Sequence, residues 1–285
     1  MTACIAMVAS GGKEIILVSD SKVAFGDYSA DDAVVKNIPF SWPWILLFAG
    51  NDISHAKAVM DRANAKADAS IENGERLSGA ELAELLQEEM EIERARIIEA
   101  SILSRYGFTA ESFRNNGKAL CSESQYNDLI YRISQVELSL CFLLCGIPRD
   151  AADKKNIQDA EIWMVSPDSP PQNFDRLGFW AIGSGANAAV SSLAHDIHYH
   201  QVGRYSDSSS VLYHVLAAKF MSESAKDVGK GTFVVLVDTE NKMQFLPTKT
   251  IERVRKLWEK QGAPRVPKGV VELISKNWMI LDDKE

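Results

Sequence analysis

Positive charge is in short supply in this chain. Lys and Arg together number 31 against 39 Asp and Glu, leaving a net charge of -8. Nucleic acids and anionic membrane surfaces both require a basic footprint, so neither is expected as a partner. Cysteine is scarce too. Cys4, Cys121, Cys141 and Cys145 form no CxxC pair and no zinc-finger spacing, and they read as reduced, small apolar residues. No apolar run approaches membrane-spanning length, and no basic leader with an apolar core opens the chain, so a cytoplasmic protein is expected. Repeats and low-complexity segments are absent. Gly183-Ser184-Gly185 lacks the remaining glycine of a dinucleotide fingerprint.

What remains is ordinary globular composition, 46% hydrophobic and 25% charged over 285 residues, read as one domain spanning 1–285. Two apolar runs, Thr2 to Ala9 and Ile15 to Ser19, flank Ser10-Gly11-Gly12-Lys13 and predict a hairpin. A strand pair is expected near 34–38 and 45–48, with Pro39 and Pro43 interrupting regular pairing. Asp52 then caps a helix from Ile53 to about Ala69. Ser78, with Glu81 three residues on, opens a long helix reaching about Tyr106. Phe108 to Asp128 is polar and weakly periodic and reads as an inserted, lid-like loop, so that 79–134 is an enlarged region. Strands at 136–147, 161–165 and 179–182 follow, then helices at 186–198 and 208–225. Strands at 232–238 and 243–247 precede a C-terminal helix and tail over 250–285. Hairpins alternating with helix pairs predict two stacked sheets with helices on the outer faces, an α+β fold.

The chemistry-bearing residues lie at the ends of these elements. Threonine follows Met1, and a small second residue favours trimming of the methionine. Thr2 would then carry a hydroxyl and a free α-amine on one residue, nucleophile and base together. Its hydroxyl must lose a proton to attack an amide carbonyl. An α-amine, with a reference pKa of about 7.7–8.0, accepts one near neutral pH. A buried Lys36 would favour the neutral amine, Asp20 would neutralise Lys36, and the Gly50 N–H would face a developing oxyanion. Singly, each residue has a plainer use: Asp20 as a turn cap, Lys36 as a surface lysine.

Taken together, Val18-Ser19-Asp20-Ser21-Lys22, Val35-Lys36-Asn37-Ile38 and Phe48-Ala49-Gly50 resemble the amino half of proteasome-type β subunits. They are similar also to the bacterial HslV peptidase and the Anbu proteins, and the Thr2-Ala3-Cys4-Ile5 start looks closest to the latter. The spacings of sixteen positions from Asp20 to Lys36 and fourteen from Lys36 to Gly50 match the family. Ala181-Ile182-Gly183-Ser184-Gly185 and Asp227 resemble its later motifs, so the likeness covers roughly 2–60 and 180–240. The resemblance implies a four-layer αββα sandwich of the N-terminal nucleophile hydrolase type. It implies cleavage of peptide or other amide bonds through an acyl-enzyme on Thr2, without metal or organic cofactor. Ser184 and Asp227 would complete the hydrogen-bond network at the terminal amine. Homo-oligomeric rings or spirals are implied, with an unfoldase partner left open.

Two departures keep alternatives open. Thr2 to Asp20 spans eighteen positions, two more than the family's usual count, whereas Cys4 to Asp20 spans sixteen. Either the hairpin turn is longer, or Cys4 is the nucleophile after loss of a three-residue leader, or the chain is a silent scaffold or binding subunit. A small-molecule amidase of the same class is a further alternative. Lys230 also stands where the family often has serine. His195-Asp196-Ile197-His198-Tyr199-His200 puts His195 and His198 at helical spacing, but with no second matched ligand pair it reads as a polar helix end rather than a metal site.

Overall fold

A computed structural model describes residues 2–25, 28–30, 36–148, 159–226, 228–261, 266 and 269–280. The amino-terminal hairpin forms as the glycine pair predicts. Strands β1 (Cys4–Ala9) and β2 (Glu14–Asp20) pair from Cys4↔Ser19 to Ala9↔Glu14. Their connection turns through left-handed backbone at Ser10, Gly11 and Gly12, with φ of 52°, 70° and 91°. At Gly12 a side chain would also collide with the Asp159 carboxylate.

A short pair, β3 (Val23–Phe25) and β4 (Tyr28–Ala30), follows. Next come β5 (Asn37–Phe40) and β6 (Trp44–Gly50). Pro39 does not interrupt them as expected: it pairs with Ile45 in an unbroken register. The reason is position. β5 is the edge of its sheet, where a missing N–H need leave no neighbouring strand short of a donor. The first part of the strand expected at 34–38 lies outside the described residues.

Helices α1 (Ile53–Glu72) and α2 (Gly79–Ser101) start at Asp52 and at the Ser78/Glu81 capping box, as the sequence indicates. The inserted segment is a correction. Phe108 to Asp128 is no loop but holds α3 (Ala110–Leu120) and the first half of α4 (Glu123–Ser134), each opened by its own capping box, Thr109/Ser112 and Ser122/Gln125. These helices bury only Phe113, Gly117 and Leu129, and Phe113 and Leu129 gather with Ile98 and Leu103 into a small satellite core. A stripe that narrow leaves most positions polar.

The chain continues through β7 (Leu140–Gly146), β8 (Glu161–Ser166), β9 (Ser169–Asn173), β10 (Phe179–Ile182), α5 (Ala186–His200) and α6 (Ser208–Ser222). It ends with β11 (Thr232–Asp238), β12 (Met243–Phe245), α7 (Thr248–Gln261), α8 (Val270–Ser275) and β13 (Met279–Ile280). The strands other than β3 and β4 form two antiparallel sheets, ordered β10-β1-β2-β11-β12-β13 and β5-β6-β7-β8-β9, an α+β architecture.

Strand periodicity explains how the sheets bury themselves. Along β1, Ile5, Met7 and Ala9 join a core with residues of α5, α6, α7 and α8, while Cys4, Ala6 and Val8 meet Leu47, Leu143 and Cys145 of the other sheet. The opposite face of that second sheet, including Leu46, Phe48 and Phe142, packs on Ala56, Val59, Leu82 and Leu86 of α1 and α2. Strands buried on both faces read as continuous apolar runs, which is why β1, β2 and β6 stand out in the sequence. Among the described residues no helix is long and apolar enough to cross a membrane.

Candidate active site

Asp20 ends β2, and its backbone N–H donates to the Ala3 carbonyl at 3.1 Å, one rung beyond the last paired residues of the hairpin. That rung brings its side chain beneath Thr2. The Thr2 hydroxyl donates to Asp20 Oδ1 at 2.7 Å, and the Ala3 N–H donates to the same oxygen at 3.1 Å. Lys36, just before β5 in the other sheet, donates from Nζ to Asp20 Oδ1 and to the Lys22 carbonyl, each at 2.8 Å. The second oxygen, Oδ2, accepts the Gly229 N–H at 3.1 Å. Asp20 is wholly buried and Lys36 nearly so. A lone buried carboxylate would be costly; here one cation, one hydroxyl and two backbone amides offset its desolvation.

Thr2 is held from its other side by the turn after β10. The Gly185 N–H donates to the Thr2 carbonyl at 3.2 Å, and Ser184 Oγ lies 3.5 Å from the same oxygen and 3.4 Å from the Lys226 carbonyl. Gly183 has φ of 93°, and a side chain there would sit 2.1 Å from the Thr2 carbonyl oxygen. Only glycine permits that approach.

Thr2, Gly50, Gly183 and Ser184 share the lining of one cavity of about 470 Å³, whose wall is completed by Asn51, Leu138–Cys141 and Ser166–Asp168. Gly50 terminates β6 opposite Leu140, and a β-carbon there would meet the Ser139 carbonyl at 2.9 Å. Thr2, Asp20, Lys36, Gly50 and Ser184 are thus gathered at one end of the two sheets. Asp227 lies outside the described residues.

The two nucleophile candidates are placed very differently. Cys4 is wholly buried in the inter-sheet core, its Sγ 3.4 Å from the Phe48 carbonyl, and it does not line the cavity. Burial drives its thiol well above the ordinary range, outweighing the pull of Lys36. Of the pair, Thr2 alone contacts both Asp20 and the cavity. Ser10–Lys13 forms the connection between the paired Ala9 and Glu14. Cys141 also lines the cavity, its thiol pushed up to about 12 by burial.

Some contributors carry no signal in the sequence. Gly229 acts through a backbone N–H, and its carbonyl is held by the wholly buried Lys219 at 2.8 Å. Lys219 also donates to Glu223 at 2.5 Å, and Arg255 grips Glu223 with both terminal nitrogens at 2.6 Å. Burial, only partly opposed by Glu223, holds the Lys219 pKa below the usual lysine range. Lys230 has an exposed side chain. It contributes its carbonyl, which accepts from Arg255 and from the Thr232 hydroxyl. A scan against models of known protein families finds no match, and a search of the curated proteins likewise finds none.

Proposed function

We propose that this chain is an N-terminal nucleophile hydrolase of the proteasome-like type, a four-layer αββα sandwich that cleaves peptide or other amide bonds through an ester on Thr2. The observation that carries the reading is a threonine hydroxyl donating to Asp20, whose same oxygen holds Lys36, at the wall of a 470 Å³ cavity. That volume falls within the ~300–1,000 Å³ typical of small-molecule and substrate clefts. The Asp20–Lys36 pair is the buried support the sequence spacing anticipates.

In the proposed reaction, removal of Met1 frees the Thr2 α-amine. Thr2 Oγ1 attacks the substrate carbonyl and its proton passes to that amine, directly or through a water. Lys36 stabilises the developing alkoxide, while Asp20 fixes Lys36 and orients the hydroxyl. The oxyanion is stabilised by the Gly50 N–H, and collapse expels the amine product, which takes the proton from the α-ammonium. The freed α-amine then activates water, which cleaves the ester and restores the threonine. No metal or organic cofactor takes part. Assembly of several copies into a ring or spiral belongs to the same reading.

Intact-mass measurement and covalent trapping test it together. The mature chain should lack Met1 and gain the mass of one threonine-directed electrophile, such as an epoxyketone or a β-lactone, at Thr2. Retention of Met1, or labelling that persists in Thr2→Ala, would overturn the reading. Trapping without turnover of any peptide or small amide would favour a silent scaffold.

A further inference from the structure

The end of α5 farthest from Thr2 carries a second constellation. His195 Nδ1 lies 3.2 Å from Asp196 Oδ1, His200 Nε2 lies 3.9 Å from that same oxygen, and the three ligand atoms all lie within 4.8 Å of one another. A tetrahedral ion bound at about 2.0–2.1 Å sets its ligands roughly 3.3–3.4 Å apart, so small side-chain adjustments would close the set around one ion.

A plainer account is that Asp196 is a buried acid needing a partner, and His214 of α6 already supplies one. His214 Nδ1 is 2.6 Å from Asp196 Oδ2, and its ring is almost wholly buried. That account leaves unexplained why two further imidazoles converge on the other oxygen. It leaves His214 Nε2 unexplained too, buried with no hydrogen-bond partner among the described residues. A metal-binding carboxylate whose second oxygen is held by an outer hydrogen bond explains the convergence on Oδ1. The helix supplies a further bias. α5 ends at Gln201, whose φ is 53°, and the carbonyls of a final turn favour a cation nearby.

We infer that His195, Asp196 and His200 form a binding site for a divalent transition-metal ion, with His214 as the outer residue that orients Asp196. Two imidazoles and one carboxylate suit borderline ions such as Zn²⁺, Co²⁺ or Ni²⁺, not Mg²⁺ or Ca²⁺, which favour oxygen ligands. The His195 side chain is 58% exposed, so an ion has an entry path and room for a water at its open position. The sequence alone reads this stretch as a polar helix end, with His195 and His198 at helical spacing. His198 is exposed, and its ring packs edge-on against Tyr199.

Its role is structural. Through the Asp196–His214 bond an ion would clamp the end of α5 to α6, one helix length of about 22 Å from Gly185, the residue that holds Thr2. The inference does not depend on hydrolase activity, and Thr2→Ala should leave it intact.

Zn²⁺ titration of chelator-stripped, tag-free full-length chain, by calorimetry and by competition with a chromophoric chelator, tests the site. About one equivalent should bind. His200→Ala and His195→Ala should each weaken binding at least about 100-fold, and His198→Ala should leave it unchanged. Saturating Zn²⁺ should raise the melting temperature by several degrees in the wild-type chain and not in the His195→Ala/His200→Ala variant. X-ray absorption should report only nitrogen and oxygen ligands. Absence of binding, binding indifferent to those two histidines, or sulfur ligation would each overturn the assignment. Because His195 and His200 lie nearer the surface than Asp196, their variants should fold and keep the test decisive.

Discussion

Two of the buried carboxylate networks among the described residues differ in what they face. Asp20 is wholly buried at the end of β2 and binds Lys36, but its coordination sphere also includes a hydroxyl that opens on a cavity. Glu89 and Glu93 of α2 are equally buried, yet their partners are Arg62, Lys66 and His55 of α1 and Arg96 of α2. No nucleophile stands among them. In the proposed reading the first network prepares a reacting group, while the second fastens two helices. Burial of charge alone does not tell them apart. What sets Asp20 apart is a partner, the Thr2 hydroxyl, on a residue that lines a cavity.

The sharpest way to break the comparison is at Thr2. Thr2→Ala should reduce hydrolysis by about 10⁴-fold or more, with the melting temperature nearly unchanged. Cys4→Ala should do the reverse, keeping electrophile labelling while costing about 1 kcal/mol for the small void between the sheets. Native Cys4 should also resist alkylation, because its buried thiol is held well above its ordinary pKa. Peptide or ester turnover read beside thermal unfolding separates the two variants. Loss of labelling in Cys4→Ala with a normal melting temperature would reverse the assignment.

The next effect is on the fastening network. Arg62 donates to Glu89 at 2.6 Å and to Glu93 at 2.9 Å, so Arg62→Ala takes a partner from two buried carboxylates at once and leaves Glu89 with Lys66 and Glu93 with His55 and Arg96. Leaving a buried charge unpaired costs about 3–5 kcal/mol; with those partners kept and Arg62 partly in water the loss should be smaller, visible as a lower denaturation midpoint. Hydrolysis by the surviving folded chain should be unaffected. A drop in turnover at full folding would show that the two networks are coupled.

How far the sequence carried the site follows from which atoms do the work. Thr2, Asp20 and Lys36 act through side chains, and their spacing survives as pattern. The choice between Thr2 and Cys4 did not, since they stand two residues apart in an extended run and only the folded hairpin decides which reaches Asp20. Gly229 contributes an N–H that any residue possesses, and Lys219 reaches the site from α6, where its neighbours disguise it as part of an apolar helix. The same asymmetry runs through the fold. The Gly11-Gly12 turn and the Ser78/Glu81 box announce themselves, while α3 and α4 hide because a small satellite core demands few apolar positions. β9, with Pro170 and Pro171 at a sheet edge, does not look like a strand at all. Helical spacing puts His195 and His198 on one face, whereas in the fold it is His200 that lies near Asp196 beside His195.

The smallest effect expected is a difference in acid sensitivity. For Glu89, burial opposes ionisation, but Lys66 and Arg62 outweigh it; for Glu93, His55 and Arg62 do so, and both carboxyls are held below the usual range. A carboxyl with a folded pKa below its unfolded value of about 4.3 contributes stability in full above that value. The contribution fades as pH falls through the folded pKa, when the proton is taken up in both states. Stability should therefore decline with acid below about pH 4.3, and Glu89→Gln/Glu93→Gln should flatten that slope while lowering stability at neutral pH. Arg62 and Lys66 would then lack carboxylate partners there, but both lie partly in water, so the neutral-pH loss should be smaller than in Arg62→Ala. Urea unfolding at stepped pH reads the slope directly. An unchanged slope in the double variant would mean that these carboxyls titrate alike folded and unfolded, and that the acid-sensitive charge of this chain lies elsewhere.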